Sequence, residues 1–178
     1  IVAGQCTLMP PNRLSATLDQ LVADYPDSYR LENDEPLFGE SACLVFEGCE
    51  TVPDIPAKQL CAIAFTSGST GQPKPNLKYW KTLVTGTLGN AALLQLGCDD
   101  RMNLVATVPS QHMWGMETAI LLPLFAKVAA SYRTPFFPQD IADALADISP
   151  PRALVSSPVH LDALIRSGVA LPALKRIL

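Results

Sequence analysis

Residues 66–74 read Thr-Ser-Gly-Ser-Thr-Gly-Gln-Pro-Lys, a short run holding four hydroxyl side chains, two glycines and one lysine. Glycine reaches positive φ without steric cost and lets backbone N–H groups approach a ligand closely. Hydroxyls and an ammonium group donate hydrogen bonds to oxyanions. Thr66, Ser67, Gly68, Ser69, Thr70, Gly71 and Lys74 together suit a polyphosphate. An exposed Ser/Gly linker has a similar composition. A linker, however, needs neither a buried strand leading into it nor a stiff turn and a cation at Pro73-Lys74. The run is not a Walker A loop, because counting from Gly68 puts Pro73 where the second glycine must stand. Nor is it G-x-G-x-x-G, since Thr70 occupies the second glycine position.

A second cluster lies at residues 108–117, Val-Pro-Ser-Gln-His-Met-Trp-Gly-Met-Glu. By residue type alone His112 is either a satisfied structural imidazole or a functional one. Trp114 and Met116 are either pocket walls or core, and Glu117 can be a helix-start carboxylate favoured by the helix dipole. His160 reads as plain packing. Cys6, Cys43, Cys49, Cys61 and Cys98 form an odd set without a C-x-x-C pair, and with only two histidines they read as buried reduced thiols. No metal site is expected of them.

The elements that must position these residues follow from apolar spacing. A strand at 4–9 leads to a helix at 14–25, with Ser15 as its cap. Apolar runs at 29–32 and 42–46 precede a Pro-rich acidic loop at 47–56. A buried strand at 60–65 runs into the hydroxyl-rich segment. A helix is expected over 77–96, ended by Gly97. Then come a strand at 103–108, a loop at 109–115, a helix at 116–125 and a strand at 128–132. The alternation continues with a helix at 141–148, a strand at 153–155 and a helix at 158–165. Such alternation predicts an α/β fold, a mostly parallel sheet with helices on both faces, in one domain spanning 1–178.

The composition excludes several classes. The 178 residues carry 13 Lys plus Arg against 17 Asp plus Glu, a net charge of −4, which argues against a basic nucleic-acid binder. With 48% hydrophobic and 17% charged residues the chain has enough apolar material for a core and too little charge for a disordered tail. Proline, at 16 residues, is abundant and points to short elements joined by stiff turns. The greasiest stretch, 119–130, is broken by Pro123 and Lys127, so no membrane span is expected. No charged segment leading into an apolar signal core opens the chain, and a cytoplasmic location is expected. The first residue is Ile1 and not Met, which points to a piece of a longer protein.

Residues 65–74, FTSGSTGQPK, resemble the phosphate-binding signature of the adenylate-forming (AMP-binding) superfamily: acyl-CoA synthetases, peptide-synthetase adenylation domains and luciferases. Residues 3–12 resemble that family's early strand, residues 108–117 its acyl-pocket segment, and residues 154–161 a later strand-to-helix turn. Two departures stand out. Pro75 replaces the usual glycine, and Lys78, Tyr79, Trp80 and Lys81 stand where many members carry a histidine early in a helix.

The resemblance implies the central part of a large N-terminal domain, without the smaller C-terminal lid domain, and with apolar surface left exposed for missing neighbours. It implies ATP-dependent activation of a small carboxylic acid to an acyl-adenylate, using Mg2+, followed by transfer to a phosphopantetheine thiol of CoA or of an acyl carrier protein. The isolated piece is expected to be inactive. Thr66, Ser67, Gly68, Ser69, Thr70, Gly71 and Lys74 would cradle the β- and γ-phosphates. His112, Trp114, Gly115 and Met116 would wall the acyl pocket, with His112 orienting or gating the substrate. The alternative reading is a non-catalytic nucleotide or phosphate binder that retained the loop. Ile1-Val2-Ala3-Gly4 also resembles a processed serine-protease terminus, but no G-D-S-G-G-like segment accompanies it and helical periodicity is abundant.

Overall fold

In the computed structural model the described residues are 1–30, 53–67, 73–96 and 101–178. They form two sheets. The first has the order β1-β2-β3, from Thr7–Met9, Leu60–Ser67 and Pro73–Tyr79. β1 and β2 run parallel, and β3 pairs antiparallel with β2. The second has the order β5-β4-β6-β7, from Val128–Ala130, Met102–Ala106, Arg152–Val155 and Arg176–Ile177, with every pairing parallel. Sequence spacing does not signal the two-residue β7; it is drawn into the edge by Ala153 and Leu154.

Period-two alternation assigns each strand residue to a layer. On β4, Met102, Leu104 and Ala106 pack with Ala91 and Leu122, while Val105 packs on the opposite face with Ile141, Leu145 and Leu164. On β6, Ala153 and Val155 take the first face and Leu154 the second. Both faces are covered, so residues 104–106 and 153–155 read as short apolar runs. On β2, Ile63 and Phe65 pack with Leu21, Leu8 and Tyr25 beneath α1 (Ser15–Asp24). Ala62 and Ala64 face the other way, onto Leu83, Met116 and Leu121. Cys61 joins the same cluster as its neighbour Ala62 because the register slips between Leu60 and Ala62. Burial pushes the Cys61 thiol up, so it stays protonated at neutral pH. Cys6 is exposed, contrary to the expectation of buried thiols; Cys43, Cys49 and Cys98 lie outside the described residues.

The middle layer is helical. It contains α2 (Trp80–Leu93) and a stretch made of α3 (Met113–Gly115), a π-helical segment (Met116–Leu121) and α4 (Leu122–Phe125). Pro123 explains the wide turn: a proline in a helix clashes with the carbonyl four residues back, and here the Leu122 N–H reaches Glu117 O, five residues back. The outer faces are covered by α1 on the first sheet and by α5 (Pro138–Ala146) and α6 (Pro158–Ser167) on the second. Thr87 and Thr118, both 0% exposed, donate to Leu83 O at 2.8 Å and Trp114 O at 2.6 Å, which satisfies their hydroxyls within the middle layer.

Four expectations are corrected. Residues 77–79 belong to β3, not to a helix; β3 is an edge strand, which is where Pro73 and Pro75 are tolerated, and its ladder with β2 overrides the helical spacing. The helix that follows ends in a Schellman motif at Gln95, whose φ is 53°, with Leu96 N donating to Ala91 O and Gln95 N to Ala92 O, each at 3.0 Å. Gly97 lies outside the described residues. Leu14, not Ser15, is the cap residue of α1, and Asn12 Oδ1 accepts from Leu14 N at 3.0 Å. The helix expected at 116 begins at Met113, so the preceding loop is shorter. The apolar run at 42–46 lies outside the described residues, as does part of the 29–32 run and of the 47–56 loop.

Gly115 fixes how closely that helix meets the end of β4. A Cβ built there would lie 2.2 Å from Pro109 O and 2.8 Å from Val108 O, although the backbone is ordinary helix at φ −66°. The requirement is therefore space and not conformation. No helix among the described residues is long and apolar enough to cross a membrane. Some large apolar side chains stay exposed, Leu93 at 83% and Tyr132 at 91%.

Two stability measurements test this packing. Leu154→Ala, at a fully buried position, should cost about 2–5 kcal/mol in denaturant unfolding, against less than about 0.5 kcal/mol for Leu93→Ala. Gly115→Ala should cost about 1–3 kcal/mol by overpacking, and a neutral result would show that the helix start can move away from Pro109.

Candidate functional site

β2 and β3 bring the two ends of the hydroxyl-rich segment together. In the register Thr66 lies opposite Lys74, and Ser67 opposite Pro73. Side chains directly opposite in an antiparallel ladder share a face, with Cβ atoms roughly 5 Å apart. Thr66 and Lys74, separated by eight positions in sequence, are thus neighbours, and both are exposed. Gly68, Ser69, Thr70 and Gly71 lie outside the described residues. The root of this hairpin is firm: Phe65, paired with Pro75, is buried and packs edge-on against Tyr25 at a centroid distance of 5.9 Å.

Asn76 is a residue that sequence reading missed. Its Nδ2 donates to Thr66 Oγ1 and to Lys74 O, each at 3.3 Å, so it braces both ends of the segment. Its signal is its spacing, two positions after Lys74 and hence on the same face of a strand, a pattern that the helical spacing beginning at Leu77 obscures. Alternation also places Thr66 on the side of β2 that carries Ala62 and Ala64, the side covered by Met116. The hairpin and the 112–117 segment therefore belong to one face of the first sheet.

The second segment is built at the end of β4. His112 occupies the cap position before α3, its N–H donating to Pro109 O at 3.0 Å and its carbonyl accepting from Met116 N at 2.9 Å. Its ring is exposed, and Trp114 is at the border of exposure at 36%. Gly115 and Met116 are buried, Met116 at 7% against Cys61, Ala62 and Leu83. Of the four residues singled out here, His112 and Trp114 present surface, Gly115 permits the close approach, and Met116 supports the segment from the core. Glu117 faces α2, where Asn90 Nδ2 donates to its Oε2 at 3.5 Å.

His160, expected only to pack, belongs to a third group. Beyond β4 and β6, Thr107 Oγ1 lies 2.9 Å from Ser156 Oγ and 3.1 Å from His160 Nδ1, and Ser157 Oγ lies 3.1 Å from the same nitrogen. Nearby, the Arg133 guanidinium is held above its usual range by Tyr132 and by Asp147, to which its Nη1 donates at 2.5 Å. Tyr132 and Arg133 border a cavity of about 190 Å³ lined also by Ala106, Ser110, Ser131 and Thr134 among others.

Comparison with known proteins gives the family and the fold. No curated protein sequence matches the chain. Among solved structures, ATP-bound MatB from Rhodopseudomonas palustris is 27% identical, with a TM-score of 0.55 over 66% of this chain and 22% of that one. A malonyl-CoA ligase solved as a ternary product complex with methylmalonyl-CoA and AMP is 22% identical, with a TM-score of 0.61 over 86% of this chain and 35% of that one. O-succinylbenzoate coenzyme A synthetase (MenE) from Bacillus subtilis, in complex with AMP, is 16% identical, with a TM-score of 0.53 over 66% and 24%. The last two show the fold alone, and the chain spans about a third or less of the length of each of these proteins. The profile of the AMP-binding enzyme family matches residues 11–178, nearly the whole sequence, and the chain belongs to that family.

Proposed function

We propose that this chain is the central part of the N-terminal domain of an ATP-dependent acid–thiol ligase. The observation that carries the reading is the family match over residues 11–178, which contains the hydroxyl- and glycine-rich segment between two paired strands. In the first step a carboxylate oxygen attacks the α-phosphate of ATP, the acyl-adenylate forms, and pyrophosphate leaves. In the second a phosphopantetheine thiol takes the acyl group and AMP departs. Such chemistry relies on positioning and on stabilising charge where it develops.

The hydroxyls of Thr66, Ser67, Ser69 and Thr70, the backbone N–H groups of Gly68 and Gly71, and the Lys74 ammonium hold the β- and γ-phosphates and stabilise the departing pyrophosphate. The pairing of Thr66 with Lys74, braced by Asn76, supports this assignment, because it fixes both ends of the cradle before ATP arrives. Donor chemistry fits too, since hydroxyls, backbone N–H groups and an ammonium are the groups that bind phosphate oxygens. Magnesium, carried in with ATP, neutralises phosphate charge. His112 orients or gates the acid, Trp114 and Gly115 wall the acyl pocket, and Met116 backs it. CoA is the acceptor that the ligase neighbours support, with a carrier-protein thiol as the finer alternative.

In the full-length protein, Lys74→Ala should raise the KM for ATP by about tenfold to a hundredfold in acid-dependent ATP–pyrophosphate exchange, the worth of one charged hydrogen bond, with the KM for the acid little changed. An unchanged KM for ATP removes Lys74 from the cradle. The 178-residue chain alone should bind ATP weakly and catalyse no acid-dependent exchange; turnover by it would disprove the proposal that it is one part of the machinery.

A further inference from the structure

Asn76 stands on the edge strand β3, opposite Ala64 of β2 and two positions after Lys74. Its side-chain nitrogen touches two groups at once, the Lys74 carbonyl oxygen and Thr66 Oγ1, each at 3.3 Å. One atom thus serves both ends of the hydroxyl-rich segment. Asparagine is depleted in strands, where β-branched and aromatic residues fit better, and position 76 is exposed, so neither propensity nor core packing accounts for the choice. What the residue brings there is an amide.

Donor and acceptor chemistry fixes the direction of each bond in this group. A backbone carbonyl can only accept, so the Asn76 atom that faces Lys74 O is the NH2 nitrogen and not the amide oxygen. That nitrogen carries two hydrogens, and the second goes to Thr66 Oγ1. Thr66 is therefore the acceptor of this bond. A hydroxyl has a single hydrogen, and with Asn76 on its acceptor side the Thr66 hydrogen must point elsewhere. Among the described residues Thr66 Oγ1 makes no other hydrogen bond. Lys74, directly opposite on the same face, carries an ammonium that donates and never accepts. Were the Asn76 amide turned over, its oxygen would oppose the Lys74 carbonyl and draw the Thr66 hydrogen inward. As it stands, Thr66 and Lys74 both offer hydrogens to one exposed space, and an oxyanion is the group that suits both.

We propose that Asn76 is a positioning residue for ATP: it occupies the acceptor side of the Thr66 hydroxyl, so that the hydroxyl hydrogen is aimed at a phosphate oxygen beside the Lys74 ammonium. This rests on the ligase reading above and adds to it a residue outside the 66–74 segment that acts through Thr66 without touching the nucleotide. Two physical effects follow from the arrangement. A hydroxyl that is already oriented need not be turned when ATP arrives, which lowers the cost of binding. A hydroxyl that accepts one hydrogen bond is polarised and donates the next more strongly, and a charged oxygen gains most from that.

The test is calorimetric titration of the full-length protein with Mg-ATP and, separately, with AMP, which requires no knowledge of the acid. Asn76→Val should raise the Kd for ATP about threefold to tenfold, the worth of one neutral hydrogen bond. The Kd for AMP, which lacks the β- and γ-phosphates, should stay unchanged. Coupling to Thr66 separates a positioning role from a structural one. Thr66→Val should raise the Kd for ATP by about tenfold, and adding Asn76→Val to it should cost nothing further. Thr66→Ser, which keeps the hydroxyl, should remain as sensitive to Asn76→Val as the wild type. A brace that acts only through the Lys74 carbonyl predicts the same penalty in all three backgrounds, and that result overturns the assignment. So does an unchanged Kd for ATP in Asn76→Val, or a Kd for AMP that rises with it; each of these leaves the ligase reading intact. If Asn76→Val fails to fold, as judged by thermal melting, Asn76→Ala takes its place in every comparison. A folded wild type that binds no ATP overturns the ligase reading and this assignment with it.

Discussion

The apolar contact of the middle helical layer with both sheets is the constraint on which the other features depend. α2 gives Leu83 to the first sheet and Ala91 to the second, and the 113–125 stretch gives Met116 and Leu121 to the first and Leu122 to the second. One layer therefore buries the inner face of each sheet. Neither sheet could keep Ala62 and Ala64, or Leu104 and Val155, out of water without it. The outer helices complete the burial, but each of them touches one sheet only.

This shared layer determines where chemistry can occur. Because the stretch beginning at Met113 is clamped between the sheets, the turn before it must leave β4 sharply, and only a glycine at position 115 allows the helix to pass the carbonyls of Val108 and Pro109. That close approach holds His112 and Trp114 at the surface. It does so with buried atoms, so these two side chains themselves remain exposed. Thr66 and Lys74 are governed by the same layer from the other side, since the face of β2 they continue is the one covered by Met116.

Sequence reading recovered most of the elements because their faces are strongly patterned. The strands at Met102–Ala106 and Arg152–Val155 are buried on both faces over residues 104–106 and 153–155, which writes two short apolar runs. α5 and α6 begin at prolines and bury one stripe each, a pattern that reads plainly as helix. Reading failed where long-range pairing competes with local spacing. Leu77 and Tyr79 fit the helix that follows them, but β2 supplies a ladder that only the folded chain possesses. β7 is two residues long and has no pattern of its own; its strand character comes from Ala153 and Leu154. The end of α2 at Gln95 was missed because glycine is the usual residue at positive φ.

The sequence by itself determined the alternation of the fold and the donor groups offered between residues 66 and 74. Four hydroxyls, two glycines and a lysine suit phosphate oxygens by composition, since donor type and backbone freedom are properties of the residues. Tertiary structure alone decided which of these groups meet. Thr66 reaches Lys74, Asn76 braces both, and Thr107, Ser156 and His160 come from segments about 50 positions apart. Those contacts depend on strand register and on the direction in which the chain leaves β4 and β6. Register is fixed by burying two faces of each strand at once, a condition spread over the whole molecule that no local stretch of sequence expresses.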